Sequence, residues 1–335
     1  MICRRIFTLI LIFTLNAAAF AGQYAADFLR IGVGARAAAL GGAYVALAGD
    51  ASAFYWNPAG LADVSRVALH ADYMPMFNDL AQYNSASAAL SLRRDLTVAV
   101  GWIRLGVDDI PRYAPLTGSR VDRYAGSGRS DGVALGSFSD AEDAFLLSFA
   151  KKVRFDLGLG SGRNMMVFPV ELSFGVNGKY IRHQLDDRLG LGQGLDAGVM
   201  ARALSKTTER GEAATWLGMG LSIRDLSRTG ITWNTASKHQ DRADAAFQLG
   251  LAGSHFFDGI HTRLTLALDQ QFGDQQTMHA GLEATLLHTA ALRLGFSAGH
   301  LTAGAGLQFR NFRVDYAFVS HDLANSHRVS LAVGW

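Results

Sequence analysis

From about Arg66 to Trp335 apolar residues alternate with polar or small ones, over one short segment after another. Leu264, Leu266 and Leu268 alternate with Arg263, Thr265, Ala267 and Asp269, and Leu292, Leu294 and Phe296 with Arg293, Gly295 and Ser297. A period of two places successive side chains on opposite faces of a strand, so each segment reads as a strand with one apolar and one polar face. Such runs fall at 66–75, 80–92, 95–105, 142–152, 166–184, 194–204, 214–225, 244–255, 261–272, 277–287, 290–298, 301–309, 312–319 and 327–335, fourteen in all. Most approach the ~9–11 residues that a tilted strand needs to cross a bilayer.

The connectors alternate as well. Arg93-Arg94, His288-Thr289 and Arg310-Asn311 are tight turns, whereas 106–141, 185–193, 227–243 and 320–326 are long and rich in Gly, Ser, Asp and Arg. Short turns on the periplasmic side and long loops outside mark a bacterial outer-membrane barrel, with both mature termini periplasmic. The connector 153–165 is long on the short-turn side, which calls for strand 5 to begin earlier. The expected fold class is therefore all-β, a 14-stranded antiparallel transmembrane outer-membrane β-barrel with a small N-terminal helical or coil hatch.

Composition narrows the field. The 335 residues are 49% hydrophobic and 18% charged, against about 25% charged in soluble chains. Apolar content this high argues against disorder, and a formal charge of +2 is too small to imply a nucleic-acid partner. Beyond the N-terminus no apolar run is long enough for a membrane-spanning helix. A secreted β-sandwich would also alternate, but fourteen strands are too many for one sandwich and no composition break marks a second domain. The polar face is crowded with Gly, Ala, Ser and Thr and scattered opposite charges, which suits a filled lumen.

Residues 1–21 read as a secretory signal, with Arg4 and Arg5 before the apolar Ile6–Leu15 core and Ala19-Phe20-Ala21 at the cleavage site. Its removal takes away two arginines and the only cysteine, Cys3, leaving a mature chain of zero formal charge without disulfides. Residues 22–65 do not alternate and are dense in Ala and Gly, with Asp50 a helix-cap candidate before Ala51 and Pro58 ending any helix near Trp56. They read as a hatch inside the barrel formed by 66–335.

Within that segment, Gly34-Ala35-Arg36, Leu40-Gly41-Gly42-Ala43, Asp50-Ala51 and Asn57-Pro58-Ala59-Gly60-Leu61 resemble the N-terminal signature of the PorV/PorQ family, relatives of the FadL-like fatty-acid channels. GVNGKYIRHQL, GLDAGVMAR and WLGMGLSIRDL resemble the central strands of that family. FRNFRVDYAFVSHDLANSHRVSLAVGW is similar to its closing hairpin, with Asp315-Tyr316, Asp322-Leu323 and His327-Arg328 in place. The resemblance implies a fourteen-stranded barrel with a lumenal hatch. It also implies a non-enzymatic role, either as a type IX secretion accessory that assists protein export and surface attachment, or as a channel for hydrophobic molecules such as long-chain fatty acids. The expected partners are outer-membrane lipid and lipopolysaccharide, the outer-membrane assembly machinery, and exported proteins or a hydrophobic ligand.

Hatch and gating candidates are Gly34, Arg36, Gly41, Gly42, Asp50, Asn57, Pro58 and Ala59. The charges Glu171, Lys179, Arg263, Asp269, Glu283, Arg293, Arg313 and Asp315 all fall on the inward parity of their strands. They must point inward because a charge on the lipid face costs ~2–4 kcal/mol at the bilayer midplane. Leu331, Val333 and Trp335 form an alternating aromatic-ended terminus that resembles the signal read by the assembly machinery.

No catalytic constellation, metal site or cofactor is expected. Gly32-x-Gly34-x-x-Ala37 lacks the preceding strand of a dinucleotide loop. Gly295-Phe296-Ser297-Ala298-Gly299 spells G-x-S-x-G but sits in a period-two strand, not at a strand-to-helix elbow, and His300 beside it reads as a turn residue. The ten histidines show no H-E-x-x-H pattern.

Overall fold

The computed structural model describes residues 26–93, 95–113, 121, 134–160, 166–205, 214–273, 276–321 and 325–335. The signal segment 1–21, Arg94 and Asp322-Leu323 lie outside the described residues. The strands are β1 (Val67–Met76), β2 (Ala81–Arg93), β3 (Leu96–Arg112), β4 (Gly136–Leu159), β5 (Met166–Leu185), β6 (Arg188–Leu204), β7 (Thr215–Arg224) and β8 (Gly230–Trp233). They continue as β9 (Gln240–Arg242), β10 (Ala246–Phe257), β11 (Thr262–Phe272), β12 (Thr277–Leu286), β13 (Ala290–Ser297), β14 (His300–Phe309), β15 (Phe312–Val319) and β16 (Ser326–Gly334).

Neighbours pair antiparallel around a closed circuit in which β1 meets β16 and β5 meets β6. The strands β8 and β9 form a small hairpin added to the edge of β6, leaving fourteen staves in the barrel wall. The alternation in sequence is the alternation in space. On β11, Leu266 is 61% exposed and Leu268 54%, whereas Ala267 between them and Asp269 after them are each 2% exposed. The wall is thus apolar outside, and no helix among the described residues is long and apolar enough to cross a membrane.

Several connectors differ from the sequence expectation. The 106–141 loop is shorter because β3 runs on to Arg112 and β4 starts at Gly136. The long connector 153–165 shrinks because β4 extends to Leu159; β5 begins at Met166, no earlier than drawn. Val153, Phe155 and Leu157 continue the outward apolar row of β4. The expected loop 185–193 is a tight turn at Asp186-Asp187, with Asp186 at φ 53°, followed at once by β6. Its glycines are strand residues that make room for the small hairpin: a Cβ on Gly190 or Gly192 would lie 2.9 Å from Ile231. The hairpin itself occupies much of the expected loop 227–243.

The core of the molecule is the lumen. Residues 26–64 form a 3-10 turn (Asp27–Arg30), helix α1 (Ala35–Ala39), helix α2 (Ala53–Trp56) and a second 3-10 turn (Pro58–Asp63). Val33, Leu40, Ala43, Val45, Ala46, Phe54 and Leu61 are wholly buried there. This hatch rests on glycines of the wall. Gly101 faces the Phe54 ring, Gly175 the Pro58-Ala59 peptide, Gly198 the Asn57 side chain, Gly220 and Gly250 the Val45-Ala46 backbone, Gly281 and Gly295 the Leu40-Gly41 backbone, and Gly304 the Ala39 methyl. A Cβ at Gly220 would sit 2.6 Å from the Val45 carbonyl oxygen and one at Gly281 2.8 Å from that of Leu40. The approach is reciprocal at Gly41, whose φ of +65° and 2.6 Å Cβ-to-Phe296 oxygen distance leave no space for another residue.

Replacing Gly175 with Leu should therefore unseat the hatch without dissolving the wall. The variant is expected to keep the barrel's faster migration in unheated gels, yet to be cut by trypsin after Arg36, where the parent resists. A variant as resistant as the parent would show that the glycine gap is not needed.

Candidate functional site

The hatch backbone is largely non-helical, so the amides and carbonyls it does not pair internally need partners from the wall; irregular backbone at membrane depth is tolerated only where protein satisfies it. Those partners come from strand after strand. Gly34 N donates to Asp72 (3.3 Å) and Ala35 N to Ser330 Oγ (2.5 Å), while Arg328 donates to the Gly32 carbonyl (2.9 Å). Tyr44 N and Val45 N both donate to one Asp269 oxygen at 2.8 Å. Ser87, Asn177 and Thr302 donate to the carbonyls of Ala51, Phe54 and Ala39 at 2.7, 2.7 and 3.0 Å. His279 Nδ1 lies 2.7 Å from the Gly41 carbonyl, and Gln248 Nε2 lies 3.5 Å from that of Gly42.

The Asn57-Pro58-Ala59 turn is pinned in the same way. Asn57 leaves α2 in an extended conformation (φ −157°), accepts from Ala59 N (3.2 Å), and donates to the carbonyls of Val45 (3.0 Å) and Val199 (3.2 Å). One side chain thereby joins both halves of the hatch to β6. Asp50 is not the cap of α2; it accepts from Ser52 N (3.0 Å) and Ser52 Oγ (2.5 Å) one turn earlier.

Between the hatch and strands β12, β13 and β15 runs a closed circuit of charge. Arg36 donates to Glu283 at 2.9 and 2.6 Å, Glu283 also accepts from Arg293 at 2.6 Å, and Arg293 reaches Asp315 at 2.8 Å. Asp315 accepts from Arg313 at 2.7 Å and Arg313 donates to Asp50 at 2.5 Å. Tyr44 closes the circuit, donating to Asp50 (3.4 Å) and accepting from Arg36 (3.3 Å). Three guanidiniums alternate with three carboxylates, so each charge has opposite neighbours. Burial alone would raise the Asp50 carboxyl; Arg313, with His70, Ser52 and Arg36, outweighs it and holds the group well below the usual carboxylate range. This stabilisation is fully present above the ordinary carboxylate pKa, declines as pH falls below it, and is gone once pH has fallen through the lowered folded value.

The remaining inward charges divide. Glu171 binds Lys152 (3.1 Å) and Arg154 (2.8 Å), and Lys152 also holds Asp63 at the end of the hatch, with Arg202 on its other oxygen at 3.0 Å. Buried Lys179 lies between Asp196 (2.9 Å) and Asp225 (2.6 Å), apart from the circuit. Arg263 lies over the Phe256 ring, 5.5 Å from its centre, and 3.4 Å from Ser254 Oγ. Tyr44, Asp63, Asp72, Lys152, Arg202 and Arg328 were missed as site residues, although strand parity alone marks the last four as inward. At the terminus, Leu331 and Trp335 are exposed and Val333 partly so. Trp335 N donates to the Val67 carbonyl (2.9 Å), and Ser65 Oγ donates to the Trp335 carbonyl (2.7 Å).

Ser297 ends β13 and is followed by a turn into β14, so no strand-to-helix elbow forms. Its hydroxyl is 2.8 Å from His279 Nδ1, but that nitrogen also faces the Gly41 carbonyl. A proton donated to the carbonyl leaves Nδ1 unable to act as a base toward the serine. Gly32 and Gly34 lie in the hatch after a 3-10 turn, with no strand before them among the described residues. Asp140, Glu142 and His183, unremarked in the sequence, form the one group among the described residues whose spacing could hold a metal ion. The imidazole is held between the two carboxylates, 2.8 Å from Asp140 and 3.6 Å from Glu142.

No family model matches the chain, and no curated protein matches it. Among solved structures it is similar to the Ralstonia pickettii toluene transporter TbuX, at 13% identity over 90% of this chain and 97% of that one, with a TM-score of 0.43. It is similar to the Pseudomonas putida toluene transporter TodX at 13% identity, 90% and 96% coverage and a TM-score of 0.43. A Pseudomonas aeruginosa FadL homologue gives 11% identity, 87% and 95% coverage and a TM-score of 0.42. At such distances the functional reading rests on this chain's own residues.

Glu283→Ala would strand Arg36 and Arg293 without their shared carboxylate. Losing one member of a buried pair costs about 3–5 kcal/mol, so the temperature at which the barrel loses its fast gel migration should fall clearly. Tyr44→Phe keeps all six charges and should cost only about 1 kcal/mol. Equal effects of the two substitutions would show that the circuit does not act as a unit.

Proposed function

We propose that this chain is an outer-membrane barrel that admits a hydrophobic small molecule to a lumenal pocket, with the hatch as its gate. The largely apolar exterior of the barrel wall supports the membrane location, since such a surface is costly in water. The observation that carries the ligand class is a cavity of about 550 Å³ between the hatch and the rim where β1 turns into β2. Ile31 and Trp56 of the hatch line it, with Met74, Met76, Phe77 and Val319 of the wall, and Arg30, Arg328, His279, His300 and His321 border it. Its size suits a small-molecule site, and flexible methionines adapt to apolar ligands of varied shape.

Gating follows from which groups the ligand would touch. Trp56, Gly41 and Gly42 border the cavity, and Trp56 Nε1 donates to the Val33 carbonyl at 2.8 Å. A ligand that binds better when Trp56 shifts would therefore move Val33 and the Asn57-Pro58-Ala59 turn beside it. The role in type IX secretion rests on the sequence resemblance alone; no feature among the described residues favours it.

The test is titration of the detergent-folded protein with a dansyl-labelled long-chain fatty acid, read by energy transfer from tryptophan. Saturable binding is expected, reduced in signal by Trp56→Phe because four other tryptophans remain, and weakened at least tenfold by Met76→Glu, which puts a charge into the apolar part of the lining. Absence of saturable binding, or unchanged affinity in Met76→Glu, would overturn the proposal.

A further inference from the structure

The exterior of β3, β4 and β5 departs from the rest of the apolar wall. Arg104, Asp143 and Arg182 are register partners, so their side chains stand in one row across three strands. All three have the outward parity of their strands, shared with Val100, Phe145 and Tyr180. The guanidiniums only approach the carboxylate, at 3.8 and 3.9 Å, and remain 45% and 41% exposed, while Asp143 is nearly covered. Asp143 also accepts from Trp102 Nε1 at 3.0 Å. Two cations therefore share one anion, and the row carries a net positive charge on a face that otherwise meets lipid.

The next two rows complete a shape. Trp102, Phe145 and Tyr180 are register partners directly beside the charged row, an aromatic band of the kind found at membrane interfaces. Beyond it come Val100, Leu147, Gly178 and Leu195, again in register. A Cβ on Gly178 would meet no atom within 4 Å, so this row has a gap. The gap belongs to a groove of about 940 Å³ lined by Val100, Phe145, Leu147, Tyr180 and Leu195. A basic pair, an aromatic band and an apolar groove thus follow one another along the same three strands.

We propose that this face binds the phosphorylated lipid A portion of lipopolysaccharide, its phosphates on Arg104 and Arg182 and an acyl chain in the groove over Gly178. Charge complementarity selects an anionic headgroup. Arg104 and Arg182 are two strands apart, roughly 10 Å at the usual strand spacing, which suits a headgroup bearing two phosphates better than the single phosphate of a glycerophospholipid. An arginine is tolerated near the interface, where the cost of facing lipid falls to ~0–1 kcal/mol, and its forked donors match phosphate oxygens. The inference rests on the outer-membrane reading of the wall and is independent of the lumenal ligand.

The experiment measures binding of bisphosphorylated lipid A, dephosphorylated lipid A and phosphatidylglycerol to the folded protein in detergent. Fast migration of each unheated variant shows that loss of binding is not loss of the barrel. The intact protein should prefer bisphosphorylated lipid A at least tenfold over the other two, and Arg104→Ala with Arg182→Ala should abolish that preference. Asp143→Asn removes the competing anion and should tighten binding at least threefold, a gain that a merely structural carboxylate would not give. Unchanged binding in the double variant, equal affinity for phosphatidylglycerol, or weaker binding in Asp143→Asn would overturn the proposal.

Discussion

An irregular peptide backbone lies inside a closed barrel, and every polar group on it that is not paired within the hatch must find a partner in the wall. An unsatisfied buried amide or carbonyl costs about 1–3 kcal/mol, whereas a made bond returns only about 0.5–1.5 kcal/mol. The wall therefore has to present donors and acceptors at fixed places, as Asp269 does to two amides and Asn177, Ser87 and Thr302 do to single carbonyls. Where the hatch backbone comes closest, the wall has to present nothing at all, and glycine stands there. The outer face must meanwhile be apolar. Both demands on one strand produce a two-residue period with a small or polar inner phase.

This explains what could be read without coordinates. Fourteen staves follow from the alternation, and the inward parity of Glu283, Arg293, Arg313 and Asp315 follows from the same count. Their hatch partners do not, because residues 26–64 have no period that orients Arg36, Tyr44 or Asp50. Gly190 and Gly192 were misread for a related reason: glycine marks a loop when it supplies conformational freedom, and a strand when a neighbour needs the space. Only the small hairpin carrying Ile231 distinguishes the two. The Asp140, Glu142 and His183 group was invisible because it joins residues some forty positions apart across a strand pair.

The same contacts limit how a gate can work under the proposed function. The hatch touches staves around the whole wall and is tied by a six-charge circuit, so ejecting it would break many buried bonds together. A ligand binding at micromolar affinity supplies about 8 kcal/mol in total, and only its preference between two hatch positions does work. Movement therefore has to be local. The cavity borders Gly41, Gly42 and Trp56, away from Asp63 and its cluster of Lys152 and Arg202, so the Trp56 side can shift while the far end stays anchored.

The central claim is that residues 26–64 close the lumen of an otherwise continuous barrel. Single-channel recording in a planar bilayer tests it most directly, comparing the intact protein with a variant lacking 26–56. The intact protein should remain nearly closed to small ions, and the deletion variant, still showing heat-modifiable migration, should open a stable conductance. An intact protein that conducts as well as the deletion variant would contradict the account.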